Sequence, residues 1–291
     1  MRLTHTIREA RAFIAPHRRA GRCLGLVPTM GALHEGHLSL VRRAMRECDL
    51  VVVSIFVNPL QFAPDEDLDA YPRDLEGDLS LLDGLGQPGV DLVFAPTPSA
   101  FTPPGRRTTV TVSGLTSGLE GASRPTHFAG VTTIVTKLLN VVLPDRAYFG
   151  EKDFQQLAVI RQMVRDLDMP VEIVGCPTVR DPDGLALSSR NAYLTPEQRT
   201  QALVLSAALR EIAAEWDGDA SRARDALRRR IASAPGVRLD YAEVVDPETL
   251  KPLRGVVEGP AHAVVAAVVG ATRLIDNCRL EFARRDITPA Y

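Results

Sequence analysis

The chain has 291 residues, a formal charge of -2, 45% hydrophobic and 24% charged residues, a globular composition that excludes extensive disorder. That balance gives no basic field for a nucleic-acid backbone, and its longest apolar run, residues 263–269, is far short of the roughly 20 residues that span a bilayer. Cys23, Cys48, Cys176 and Cys278 form no C-x-x-C pair, so neither a zinc site nor a disulfide framework is indicated and a reducing cytoplasm is expected.

Residues 4–15, with Arg8, Glu9 and Arg11, read as an amphipathic segment without the pattern of a signal peptide. An apolar strand over 24–27 is followed by a helix beginning at His37, with Leu38, Val41 and Met45 on one face. Residues 50–57 are continuously apolar, as expected of a central strand buried on both faces. A helix near 75–82 and a strand over 90–94 follow, and then a proline-rich stretch, 97–107, is expected as a surface excursion or mobile flap before a strand over 108–112. A helix over 128–142, a strand over 146–149, a helix over 154–167 and a strand over 171–174 complete an alternation that indicates a parallel sheet covered by helices. Thr195-Pro196-Glu197 starts the next helix, with threonine as N-cap and proline at the first position. A helix near 221–232 and strands near 239–245 and 263–269 indicate a small α+β domain. The expected fold is α/β, a Rossmann-like parallel-sheet domain over residues 1–178 and a smaller α+β domain over 179–291.

The stretch Pro28-Thr29-Met30-Gly31-Ala32-Leu33-His34-Glu35-Gly36-His37 connects the first strong strand to its helix. Its glycines permit a tight turn and close approach of a ligand, and a helix N-terminus offers unpaired N–H groups to an anion. Three readings of the histidines stand side by side: phosphate contact, a helix cap with one exposed ring, and metal ligation. The last lacks the four-residue spacing of helical zinc motifs.

Further polar clusters follow other strands. Asn58 and Gln61 lie beyond the central strand, at the sheet end where open α/β folds bind ligands; Asn58 is also an ordinary turn former before proline. Gln61, between Leu60 and Phe62, offers an amide that both donates and accepts in an apolar pocket, as suits a hydroxy acid. Gly150, Glu151, Lys152 and Asp153 again break a strand and feed a helix, with Lys152 suited to a phosphate and Gln156 one helical turn on; a solvated charged turn is the plainer reading. Leu187, Ser188, Ser189 and Arg190 place two hydroxyls and a guanidinium in a row, either a phosphate-binding loop or a simple turn. Tyr71-Pro72-Arg73 with Asp78, and Arg124-Pro125-Thr126-His127, are weaker signals that also fit capping and surface charge.

Taken in order, these clusters resemble the pantothenate synthetase (pantoate–β-alanine ligase) family of the nucleotidylyltransferase superfamily, from about Gly25 to Asn191, with a weaker echo in Ala271-Thr272-Arg273-Leu274-Ile275-Asp276-Asn277. The resemblance implies a Rossmann-like domain, a smaller lid domain and a cytoplasmic homodimer. It also implies ATP-dependent joining of (R)-pantoate to β-alanine through a pantoyl adenylate, with release of AMP and pyrophosphate. Carried onto this sequence, it places ATP against Met30, Gly31, Ala32, Leu33, His34, Glu35, Gly36, His37, Gly150, Glu151, Lys152, Asp153, Val179, Leu187, Ser188, Ser189 and Arg190. His37, His34, Lys152 and Arg190 are the implied catalytic residues, and Gln61, Gln156, Met30 and Asn58 the implied pantoate and β-alanine contacts. Magnesium is implied with the nucleotide, Asp78 being one candidate for it; no sequence motif marks a metal site. Partners are these small molecules and a second copy of the chain, with neither nucleic acid nor membrane. One departure is Thr126, where the family pattern leads to an expected glycine before the histidine.

Two rivals predict different chemistry. A transferase passing a nucleotidyl group to a phosphorylated acceptor calls for several basic residues around a second site, where this sequence offers amides and apolar neighbours. A nucleotide-sensing scaffold of the same fold has no need of Lys152 with both histidines.

Overall fold

The computed structural model describes residues 1–64 and 66–282 and divides into two compact units, Met1–Val179 with Leu187–Ser189, and Arg180–Ala186 with Arg190–Tyr291. In the first unit, six parallel strands run in the order β1 (Arg2–Thr4), β4 (Leu92–Phe94), β3 (Leu50–Ile55), β2 (Leu24–Thr29), β5 (Arg146–Gly150), β6 (Glu172–Cys176). β3 is buried along nearly its whole length, as its unbroken apolar sequence requires. From β2 the chain moves outward through β3 and β4 and returns on the opposite side with β5, so the topological switch lies between β2 and β5. Ligands of open parallel sheets bind beyond the carboxyl ends of the strands at that place.

Helices cover both faces. Alpha-helices α1 (Ile7–Arg19), α6 (His127–Val142) and α7 (Phe154–Asp166) close one apolar core with Leu26, Val52 and Phe94, and α2 (Glu35–Glu47) and α3 (Leu75–Asp83) close the other with Val27, Val53 and Tyr148. Local chemistry sets the starts of these helices. Thr6 and Glu9 form a reciprocal capping box on α1, and Asp74 caps α3 by accepting from Gly77 N–H.

Three expectations change. The α2 helix begins at Glu35, before His37, because His34 takes the N-cap position and Gly36 is accommodated in the first turn. The proline-rich stretch is anchored: α4 (Pro98–Phe101) buries Phe101 completely, its ring edge-on to Phe56 and Phe94. Residues 108–112 form no strand, since their backbone is paired with side chains of α6, Val110 N–H donating to Thr133 Oγ1 at 3.0 Å and Val110 O accepting from Thr132 Oγ1 at 2.6 Å. The next short helix, α5 (Glu120–Ser123), has no counterpart in the sequence reading.

In the second unit, α8 (Pro196–Ala214) and α9 (Ala220–Ala232) pack on an antiparallel sheet β7 (Val237–Val245), β8 (Ala261–Val269), β9 (Thr272–Leu280). Thr195 caps α8 with Pro196 at its first position, as the sequence indicates, and Gln198 completes the capping box. The T-R-L-I-D-N stretch lies in β9, where buried Asp276 receives both terminal nitrogens of Arg180 at 2.7 and 2.8 Å.

Candidate active site

The turn between β2 and α2 is held by a buried carboxylate. Gly31 and Ala32 lie in the left-handed region, at φ 81° and 50°, which points successive N–H groups to one side. Asp78, 3% exposed and projecting from α3, fills that concavity: Oδ1 accepts from Leu33 N–H at 2.7 Å and Oδ2 from Ala32 N–H at 3.1 Å. A Cβ on Gly31 would stand 2.8 Å from Asp78 Oδ2, so glycine is required here by both conformation and space. Desolvation raises the pKa of Asp78 above its ordinary value, against the lowering effect of the Leu33 and Ala32 N–H groups. With both oxygens on backbone N–H groups, Asp78 serves as the brace of the turn, a task distinct from the magnesium contact suggested for it.

This changes what the turn presents to an anion. Ala32 and Leu33 N–H are held by Asp78, and Gly36 N–H is held by His34 Nδ1 at 3.1 Å. These three backbone donors are therefore engaged within the turn, and side chains add further donors. His37 Nδ1 accepts from His34 N–H at 3.4 Å, so in both rings Nδ1 is an acceptor and the N–H is assigned to Nε2. The two imidazoles lie side by side, ring centroids 4.1 Å apart. His37 has its pKa pushed down to about 3, chiefly by burial and next by His34, with Lys152 adding to the effect and Asp153 opposing it. With its pKa held that low by burial, His37 stands near neutral pH as an uncharged N–H donor.

The turn after β5 lies across the switch point. Gly150 ends the strand, Glu151–Asp153 form one 3₁₀ turn, and α7 follows, carrying Gln155 and Gln156. Lys152 is largely buried, with its ammonium 3.9 Å from Asp153 Oδ1. The influence of Lys152 and Asp153 on His37 places this turn beside the β2–α2 turn. From the far segment of the same unit, Ser189 Oγ donates to Ala32 O at 3.1 Å, and a Cβ on Gly36 would lie 3.6 Å from Leu187 Cβ. Leu187 N–H in turn donates to Val179 O at 3.0 Å. Thus the turn 30–37, Lys152, Val179 and Leu187–Ser189 all belong to the first unit, and Arg190 belongs to the second.

Gln61 is fixed from several sides. Its Nε2 donates to Met30 Sδ at 2.8 Å and its Oε1 accepts from Asn58 Nδ2 at 3.0 Å. Its carbonyl accepts from Arg124 Nη2 and from His127 Nδ1, each at 3.1 Å. Asn58, 3% exposed, also donates to Gly130 O and accepts from Leu60 N–H, so its amide orients Gln61 from within the loop. Gly130 permits α6 to press on this turn, since a Cβ there would overlap the Leu60 carbonyl. Arg124 grips Glu66 with Nε to Oε1 at 2.7 Å and reaches Glu120 at 3.3 Å. Thr126 has φ -95°, a conformation open to any residue, and its side chain makes no capping bond. The turn therefore does not need the expected glycine.

Asp78, Arg124, His127 and Gln155 are the parts that the sequence reading left as weak or unseen. Gln155 accepts from Glu120 N–H at 3.0 Å and donates to Leu115 and Gly118 carbonyls at 2.8 and 3.0 Å, pinning the loop before α5. Most partners of these four residues are backbone atoms lying 35 to 66 residues away in sequence, which no local motif reports. The one available signal is an amide pair, Gln155-Gln156, placed directly before the apolar run Leu157-Ala158-Val159-Ile160. Among the described residues no group of three or more His, Cys, Asp or Glu side chains is arranged to hold a metal ion.

The family model for pantoate-beta-alanine ligase matches residues 2–279. A pantothenate synthetase from Moorella thermoacetica is 53% identical over 284 residues, 97% of this chain and 99% of that protein, and one from Geobacter sulfurreducens is 50% identical over 283 residues, 96% and 99% respectively. The crystal structure of pantothenate synthetase from Thermus thermophilus superposes with a TM-score of 0.90 at 51% identity, covering 96% of this chain and 99% of that one. That of a pantoate-beta-alanine ligase from Francisella tularensis, complexed with beta-gamma ATP and beta-alanine, gives 0.79 at 34% identity, covering 97% and 99%.

Proposed function

Because the chain belongs to the pantoate-beta-alanine ligase family, we propose that its two switch-point turns and Gln61 together form an adenylating centre for pantoate. The reaction is the ATP-dependent condensation of pantoate with β-alanine to pantothenate, AMP and pyrophosphate. The observation that carries the site assignment is the convergence of the β2–α2 turn and the Lys152 turn on the sheet's switch point.

A pantoate carboxylate oxygen attacks the α-phosphorus, forming a P–O bond as the bond to pyrophosphate breaks. The chain's task is orientation and compensation of charge growing on the phosphate oxygens. His34 and His37 enter as paired Nε2–H donors, Lys152 supplies a cation, and Ser188 and Ser189 add donors to the triphosphate. Gly150, Glu151, Asp153 and Val179 frame the nucleoside. Gln61, supported by Asn58 and touching Met30, and Gln156 hold pantoate, with Gln61 also beside β-alanine. In the second step the neutral amine of β-alanine attacks the adenylate carbonyl, the C–O bond to AMP breaks and the amine gives up a proton. Water must be kept from the adenylate meanwhile.

Magnesium arrives as part of the substrate, bound to the triphosphate, consistent with its usual reliance on phosphate oxygens and water. We further assign the chain to the cytoplasm as a homodimer. Its described helices include none long and apolar enough to cross a membrane. The test is AMP formation from ATP with pantoate alone, β-alanine alone, and both. Sustained turnover is expected only with both; equal turnover when β-alanine is replaced by a phosphorylated acceptor would refute the ligase reading. Lys152→Ala should slow adenylate formation by at least ~10²-fold.

A further inference from the structure

At the opposite end of the β2–α2 unit, Cys23 immediately precedes the strand and Cys48 immediately follows the helix. Their sulfurs are 3.3 Å apart. The backbone keeps them together: Cys23 O accepts from Asp49 N–H at 2.9 Å and Leu50 N–H at 3.0 Å, and Cys23 N–H donates to Asp49 Oδ2 at 2.9 Å. The Cys48 sulfur also meets Tyr148 Oη at 3.4 Å, and Tyr148 donates to Glu47 Oε2 at 3.0 Å. Both cysteines are partly buried, neither being sealed in the core. The site lies about 20 Å from the nucleotide turn, taking ~3.3 Å for each residue of β2.

We propose that Cys23 and Cys48 form an oxidation site, a vicinal dithiol that small disulfides of the glutathione class convert to an intramolecular disulfide. One cysteine sulfur attacks the reagent's S–S bond, giving a mixed disulfide and one released reagent thiol; the second cysteine displaces the other. Two cysteine S–H bonds and the reagent S–S bond break, one protein S–S bond forms, and the two reagent thiols carry away both electrons and both protons. Burial, and then the neighbouring Cys48 thiol, push the Cys23 pKa up, so exchange should quicken as the pH is raised toward thiolate formation. The new bond ties together the ends of the strand–turn–helix unit that carries His34 and His37. It restrains the unfolded chain while leaving the turn in place.

The experiment treats the folded, full-length protein with oxidised glutathione, followed by thiol titration, peptide mapping under non-reducing conditions and thermal melting. Of the four cysteines, two should lose their thiols without retaining glutathione, a single cross-link should join Cys23 to Cys48, and the melting midpoint should rise by several degrees, reversed by dithiothreitol. In Cys23→Ser, glutathione should remain attached to Cys48, with no cross-link and no rise. Persistent glutathione on the wild-type pair, a cross-link through Cys176 or Cys278, or four surviving thiols overturns the proposal. The wild-type map alone decides the matter should the variant fail to fold.

Discussion

Replacing Asp78 with Asn tests the brace of the β2–α2 turn with almost no change of shape. The side-chain oxygen can keep one backbone partner, while the new NH₂ group faces an N–H across the 2.7 or 3.1 Å now spanned by a carboxylate oxygen. Relief of the desolvated charge balances the lost charge assistance, so the cost is that of a buried N–H left without an acceptor, ~1–3 kcal/mol. The net expectation is a destabilisation of about 2 kcal/mol, or ~4–8 °C in melting temperature for a chain of this class. If the rest of the turn relaxes as well, another ~1.4 kcal/mol lost from nucleotide binding raises the KM for ATP about tenfold. Desolvation holds the folded-state pKa of Asp78 above 3.8, so the folded state binds this proton more tightly than the unfolded one. Asp78 therefore withdraws stability as pH rises above 3.8, and the Asn variant lacks that component. Urea unfolding and ATP-dependent AMP formation measure both effects. Unchanged stability together with an altered magnesium requirement would refute the brace and return Asp78 to the metal.

His37, His127 and His262 have pKa values lowered to about 3, 4 and 4, in each case first by burial. The folded state thus binds fewer protons than the unfolded one between about pH 4 and 6.5, and unfolding free energy should fall on acidification through that window with a slope approaching ~4 kcal/mol per pH unit; a flat profile across it contradicts buried neutral rings. Gly36→Ala puts a Cβ 2.8 Å from His34 Cε1, so adenylate formation should drop at least ~10-fold with a melting temperature little changed; normal single-turnover rates would count against the paired-imidazole arrangement. Asn58→Ala removes the bond that orients Gln61, and the KM for pantoate should rise about tenfold, more than that for ATP; the reverse pattern takes Gln61 out of the acid pocket. Thr126→Gly should alter pantoate and ATP kinetics less than about twofold, because Thr126 has a negative φ and an unused side chain.

The parallel sheet was legible because its strands are buried on both faces and read as unbroken apolar runs, as in Leu50–Ile55. Strand β1 was not, since three residues at a sheet edge carry no periodic signal. In β9, Arg273, Asp276 and Arg279 hide the strand; Asp276 is tolerated inside only because Arg180, from another segment, completes it. Residues 108–112 have the composition of a strand but found hydroxyl partners on α6. Around the candidate site, motifs single out the 30–37 turn, Gln61 and Lys152 as candidates, whereas the protonation of His37 is not legible in them: it depends on burial and on the neighbouring ring. The same holds for the donors of the turn. A glycine-containing strand–helix turn signals an anion cradle, and only the fold reveals that Asp78 fills it.

The central claim is that the site activates pantoate as an adenylate before the amine attacks. Rapid-quench analysis of enzyme in excess over ATP, with pantoate present and β-alanine withheld, tests it most directly. The account predicts about one equivalent of pyrophosphate per bound ATP and an enzyme-held pantoyl adenylate, converted to pantothenate and AMP when β-alanine is added. Pyrophosphate released only after β-alanine is supplied, with no adenylate recovered, would contradict it.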